Sequence, residues 1–281
     1  MVDEELGRYL DEHPGVRDAW LLRQTLYTGP SRRQLLGRLE LSDGAAVLDA
    51  GSGFGALAFD FASARPWRVT GLDVDADKIR IAEELAVRLR ARGAVRQGAA
   101  LRFCAGDVYG LPFPDRTFDF VVARFVFQHL SDPPRAAAEL CRVARPGGHV
   151  CLIDVDDQYT VTYPEESGAL AELSRAFQQL QAHRGGDRFV GRKLAHFLSG
   201  AGLADVRAAV EAQADFRRAG GGDAQGQFMR ERLQSGRDEI VGGGVMAADA
   251  FDSRLRELAD QPPLWQFESM AQVVAVGRKA R

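Results

Sequence analysis

Sulfur is scarce in this 281-residue chain, which has three cysteines and four methionines. Cys104, Cys141 and Cys151 lack the spacing of a metal site and are too few for a disulfide scaffold. They read as small buried thiols in a reducing cytosol, with no bound metal expected. An excess of positive charge is also missing: 36 Lys and Arg stand against 39 Asp and Glu, for a net −3. Without that excess a row of phosphates goes unneutralised, so a dedicated nucleic-acid binder is not expected. No apolar run approaches the roughly 18–20 residues that cross a bilayer. Residues 1–5 (MVDEE) are acidic and carry no hydrophobic core, so no signal peptide is expected either. The expectation is a cytoplasmic protein with no membrane partner. What is present, 46% apolar and 27% charged residues, suits one large α/β domain or two small ones.

The first forty residues read as helical. After the breaker His13-Pro14-Gly15, Val16, Trp20, Arg23 and Tyr27 recur at helical steps and predict one stripe of a helix ending at Thr28-Gly29-Pro30. A second helix is predicted from Ser31 as N-cap to about residue 39. Strand-like runs follow at 46–50, 68–72, 101–104, 118–123 and 149–155, separated by helical patterns at 56–63, 76–92 and 134–144. That rhythm implies right-handed crossovers and a mostly parallel sheet covered on both faces. Helices are predicted around Leu170–Leu180 and over 192–202, then a strand near 205–210. An insertion of about fifty residues (217–263) carries two predicted helices, 225–238 and 246–258. It is punctuated by the glycine runs 220–222 and 242–244, which read as hinges or ordinary loops. A closing strand is predicted over 268–276.

The most informative stretch is Val47-Leu48-Asp49-Ala50-Gly51-Ser52-Gly53-Phe54-Gly55. A buried strand ends in an acid, and glycines then turn the chain into a helix, where a backbone without Cβ lets a ligand approach closely. The pattern also satisfies a dinucleotide fingerprint, and Asp73 at the end of the next strand suits a ribose in either case. Four features break the tie. Asp49 would repel a pyrophosphate but welcome an amino group. Cys104-Ala105-Gly106-Asp107-Val108 puts an acid where an adenine amine could donate. Arg124 begins a loop after the fourth strand, and Arg145-Pro146-Gly147-Gly148 leads into the fifth.

This ordered set, over about residues 45–155, resembles the class I S-adenosylmethionine-dependent methyltransferases, in particular the small-molecule branch similar to the ubiquinone/menaquinone C-methyltransferases. The resemblance implies a Rossmann-like α/β fold with a seven-stranded sheet ending in an antiparallel hairpin. It divides the chain into an N-terminal helical lid (1–40) and a methyltransferase domain (41–281), with helical covering segments at about 160–200 and 217–263. It implies S-adenosylmethionine as cofactor, with Asp49, Gly51 and Gly53 at the methionine end, Asp73 on the ribose, and Val74, Asp107 and Val108 at the adenine. Arg124 is counted with the cofactor residues.

Methyl transfer from a sulfonium needs alignment and exclusion of water, and a general base only where the acceptor must lose a proton. The loop Ala123-Arg124-Phe125-Val126 is not the motif of amino-directed DNA methyltransferases, and no Pro-Cys pair is present for the cytosine-C5 reaction. A small acceptor is therefore expected. Aromatic residues near the proposed lid, Trp20, Tyr27, Phe125, Phe127, Phe177 and Trp265, motivate an aromatic or polycyclic one. An insertion unlike the quinone-type pattern motivates a metabolite of specialised biosynthesis. The alternative is a cofactor-binding cyclase or regulatory protein without methyl transfer. Arg23, a charge within an apolar stripe, is expected to turn inward onto a carboxylate of cofactor or substrate, with snorkelling as the competing reading. His129 is the candidate base, with Tyr27 as a second catalytic candidate or a packing residue. Trp20, Phe125, Phe177 and Gln181 are candidate substrate contacts. Oligomeric state is left open, a homodimer included.

Overall fold

A computed structural model describes residues 1–219, 224–262 and 264–281. Three helices open the chain: α1 (Val2–Glu12), α2 (Ala19–Tyr27) and α3 (Gly29–Leu36). Alternation follows through β1 (Ala46–Ala50), α4 (Ala56–Ala64), β2 (Arg68–Asp73), α5 (Ala76–Ala91), β3 (Ala100–Ala105), β4 (Phe118–Arg124), α6 (Pro133–Val143) and β5 (Ala144–Val155). The last third holds β6 (Val161–Tyr163), α7 (Gly168–His183), α8 (Leu194–Gly200), β7 (Ala204–Ala219), α9 (Ala224–Ser235), α10 (Arg237–Gly242), α11 (Ala248–Ala259) and β8 (Leu264–Arg278).

Strands β3-β2-β1-β4-β5 run parallel in that order, and β8 joins β5 antiparallel. All five residues of β1 are buried, as a central strand between two helical layers requires. One layer packs α4 and α5 on the sheet, and Leu6, Tyr9, Leu10 and Leu22 of the opening helices belong to the same buried cluster. The other layer brings Ala136, Leu140, Leu194 and Leu198 of α6 and α8 against the opposite face. A third cluster, separate from both, joins Leu173 and Leu180 of α7 to Leu233, Ile240 and Phe251 of α9–α11.

Several details depart from the sequence-based expectations. The sheet has eight strands, not seven, because the short β6 pairs the leading half of β8, at Val161–Ser269 through Tyr163–Phe267. Strand β7 is longer than predicted and pairs β8 from Ala204–Arg278 to Ala219–Leu264, so the hairpin runs beyond the parallel sheet. Among the described residues its inserted segment holds three helices rather than two. The 242–244 glycines terminate α10, with Gly244 at φ 69° and the Val245 amide donating back to the Ile240 carbonyl. The 220–222 run lies outside the described residues. Helix α3 starts at Gly29 with Thr28 as N-cap, so Ser31 is no cap; its hydroxyl donates to the Thr28 carbonyl.

Candidate functional site

A cavity of about 540 Å³ opens at the carboxyl ends of β1, β2, β3 and β4 and is closed from above by α2. In open α/β sheets, ligands bind where the strand order reverses, here between β1 and β4. The β1–α4 turn forms its floor. Gly51 sits at φ +80°, and a Cβ there would fall 2.3 Å from Val126 Cγ2. The Gly51 and Ser52 amides both donate to the Leu72 carbonyl, at 2.7 and 2.8 Å, which ties the turn to β2. Gly53, at φ +53°, donates its amide to Asp73 Oδ2 at 2.8 Å.

Two opposite charges face this cavity without an ionic partner. Asp49 is buried and its Oδ2 accepts no hydrogen bond; burial pushes its pKa up to about 7. Arg124 donates through Nη2 to Ser31 Oγ at 3.0 Å and Gln272 Oε1 at 3.4 Å, while its buried Nε has no partner. Burial and the neighbouring Arg32 lower its pKa to about 9. A buried carboxylate and a guanidinium held by neutral groups alone are costly in a folded protein unless a ligand completes them. An α-ammonium and an α-carboxylate on one carbon are complementary to that pair.

Along the cavity, Asp73 accepts from the Gly53 and Asp75 amides, leaving further lone pairs on both oxygens. Val74 is 76% exposed, a large apolar side chain left open on the rim. Asp107 accepts from the Tyr109 amide at 2.9 Å in a local turn, and Val108 and Tyr109 line the wall beside it. The residue types present therefore fit S-adenosylmethionine: opposite charges for the amino-acid end, Asp73 at a strand end for ribose hydroxyls, and Val74, Asp107 and Val108 around an adenine.

His129 also lines the cavity, but its surroundings do not make it a base. Although much of its surface faces the cavity, the protein around it and the cations Arg188 and Arg232 push its pKa down to about 4. Gln181 Nε2 donates to the Gln128 carbonyl at 2.8 Å and reaches His129 Nδ1 at 2.7 Å. The carbonyl fixes the amide orientation, so Nδ1 must accept and the proton resides on Nε2. Gln181, expected to touch substrate, is thus a buried positioning residue for His129. Ring ¹⁵N shifts of His129 should report this neutral tautomer unchanged from pH 8 to pH 5.5. A titration near 6.5 would overturn it.

Other expected contacts separate from the cavity. Arg23 does not turn onto it: Nε donates to Glu231 Oε2 of α9 at 2.8 Å, and the residue lines a different groove with Pro14 and Trp20. The stripe that pointed it inward assumed a helix from Val16. Helix α2 begins only at Ala19, behind a left-handed Asp18, and its buried residue is Leu22. Phe177 is a packing residue of the α7–α9 cluster, under the Arg232 guanidinium at 4.5 Å. Tyr27 lines a second, smaller cavity; burial raises its pKa and keeps its hydroxyl protonated. Trp20 lines the main cavity, and Phe125 lines both, with Arg124 stacked 4.1 Å from its ring centroid. Phe125 stands at φ 59°, a costly conformation for an aromatic residue.

Sequence reasoning missed Arg32, Lys78 and Tyr109 among the cavity residues, and Asp154 beneath it. Asp154 is buried, accepts from the Gln128 amide at 3.1 Å and so anchors the loop carrying His129. Its place in a strand read as core offered no signal. Among the described residues no cluster could hold a metal ion, and no helix is long and apolar enough to cross a membrane.

Comparison with known proteins follows the same residues. Residues 48–152 match the family described as Methyltransferase domain. The malonyl-[acyl-carrier protein] O-methyltransferase of Pectobacterium atrosepticum is 32% identical over 57% of this chain and 54% of its own length. The demethylmenaquinone methyltransferase of Thermobifida fusca is 33% identical over 48% of this chain and 55% of its own. The chain spans about half the length of the curated relatives it matches. Among solved structures, the YcgJ protein from Bacillus subtilis superposes with a TM-score of 0.59 at 18% identity, over 90% of this chain and 99% of that one.

Proposed function

Because the chain carries a class I S-adenosylmethionine-dependent methyltransferase domain, we propose that it transfers a methyl group from S-adenosylmethionine to a small, aromatic or polycyclic metabolite of specialised biosynthesis. The observation that carries this reading is the pair of buried, ionically unpartnered groups, Asp49 and Arg124, facing one cavity beside Asp73. Aromatic and apolar side chains of α2 and the β4 loop support an apolar acceptor, and the three-helix insertion supports an acceptor small enough to be covered. The acidic charge balance supports a diffusible acceptor over nucleic acid.

S-adenosylmethionine supplies the activated methyl group, and the chain supplies position. Asp49 would take the α-ammonium, and Arg124, whose Nε has no partner, would take the α-carboxylate. Asp73 accepts the ribose hydroxyls while holding Gly53, so cofactor binding and the glycine turn are coupled. Val74 and Val108 flank the adenine and Asp107 accepts from its amine. His129, neutral and protonated on Nε2, offers a hydrogen-bond donor to the acceptor rather than removing its proton. Helix α2 covers the main cavity, and α9 lines the second cavity beside it.

Calorimetry with S-adenosylhomocysteine and S-adenosylmethionine tests the cofactor half directly: binding of neither would refute it. Asp73→Ala should weaken binding by roughly 1.5–3 kcal/mol, the scale of hydrogen bonds to a charged group. Unchanged affinity would remove Asp73 from the ribose.

A further inference from the structure

The second cavity, about 80 Å³, lies between α2, α9 and the β7–β8 hairpin and shares Gln24, Thr28 and Phe125 with the cofactor cavity. Three charged side chains line it. Arg188 is neutralised by Asp157, through Nη2 at 2.6 Å and Nε at 3.1 Å, and Glu211 is paired with Arg38. Arg232 is different. Among the described residues no carboxylate lies within ion-pair distance of it; Asp157 acts on it only from beyond that range, and its guanidinium lies over the face of Phe177. Burial and the nearby Arg188 lower its pKa to about 9, so the closed arrangement holds this guanidinium at a cost. Beside it Gln225 Oε1 is also buried without a donor. The rest of the wall mixes apolar side chains, Phe125, Phe228, Met229 and Met270, with neutral polar ones such as Thr28 and Gln213.

We propose that Arg232 is the anion-recognition residue for the methyl acceptor, which is therefore an apolar or aromatic molecule bearing a carboxylate. This rests on the methyltransferase reading, since it assigns the specificity of the same site. Arg232 rides on α9 and lines the cavity with no anion paired to it, a place that an acceptor's carboxylate would fill. The space there has the volume of roughly three waters, enough for a carboxylate group. A carboxylate accepts from a guanidinium in a bidentate fork, which an ammonium does not reproduce.

Benzoate, phenyl phosphate and the neutral benzamide serve as probes, titrated into the protein saturated with S-adenosylhomocysteine. Benzoate should bind at least tenfold more tightly than benzamide, and the preference should vanish in Arg232→Gln and fall severalfold in Arg232→Lys. Both variants should keep parental affinity for S-adenosylhomocysteine, which shows that they are folded. Equal binding of benzoate and benzamide by the parent overturns the proposal, as does a benzoate preference that survives in Arg232→Gln. Phenyl phosphate outranking benzoate overturns the assignment to a carboxylate. If S-adenosylhomocysteine does not bind but the benzoate preference and its loss in Arg232→Gln are seen without it, the methyltransferase reading fails and the anion site stands.

Discussion

Asp49→Ala should lose S-adenosylhomocysteine binding by about 3 kcal/mol or more, over a hundredfold, because the ligand's ammonium would enter a buried site with no counter-charge. The pH dependence is equally diagnostic. In the ligand-free fold the Asp49 carboxyl is near 7, against an ordinary 3.8. A carboxyl raised on folding favours the ligand-free fold in its protonated form. That contribution is complete below about pH 4 and is lost as pH rises through about 7. Binding runs the other way, since an ammonium requires the ionised form and the proton must leave. Affinity should therefore climb with pH to a plateau near 8 and be about tenfold weaker at pH 6 than on that plateau. Only well above about pH 8 does the α-amino group of S-adenosylhomocysteine, which sits beside its own carboxylate, deprotonate so that affinity falls again. Calorimetry at pH 6 in two buffers of different ionisation enthalpy should show close to one proton released. Asp49→Asn should abolish the release. A flat affinity between pH 5.5 and 7 would refute the assignment.

The largest effect on stability is expected at Arg32→Met. Arg32 is 1% exposed, yet it donates to Asp60 Oδ2 at 2.8 Å and to Asp3 and the Thr25 carbonyl. Asp60 is itself buried, so removing the guanidinium strands a carboxylate in the core between α3 and α4, at a cost of about 3–5 kcal/mol. The unfolding midpoint should drop by roughly 10 °C, as circular dichroism would record. Arg32→Met with Asp60→Leu should recover most of the loss, because neither charge is then buried alone. A single variant melting within 2 °C of the parent would show the pair to be dispensable. With Leu6 and Tyr9 in the same cluster, the opening helices share the core of the sheet layer and are not a loose cover on it.

Much of the sheet was legible because β1, β2 and β4 are short apolar runs ending in Asp49–Gly51, Asp73 and Arg124, where composition changes abruptly. The residues of the main cavity were legible for the same reason: they sit at strand ends and are ordered along the chain. The surroundings of the helices were not. Arg23 and Phe177 lie on helices whose inward faces depend on packing against α9, a contact between segments more than fifty residues apart that periodicity does not encode. Gln181 fell on the expected face, but its partner is a histidine on another loop, so its role emerged only from the hydrogen bond to Nδ1. Arg232 carried no signal at all, since an arginine on a polar helix ordinarily reads as solvated.

The β7–β8 hairpin has a consequence for how such a protein diversifies. The strands leaving and re-entering the inserted helices are paired with each other at Ala219–Leu264, so the two ends of the insert are adjacent. The insert also packs its own apolar residues with α7, apart from the two layers on the sheet. An exchange of the segment between these paired ends would thus leave the strand register of the hairpin in place, with the Arg23–Glu231 pair as its link to α2.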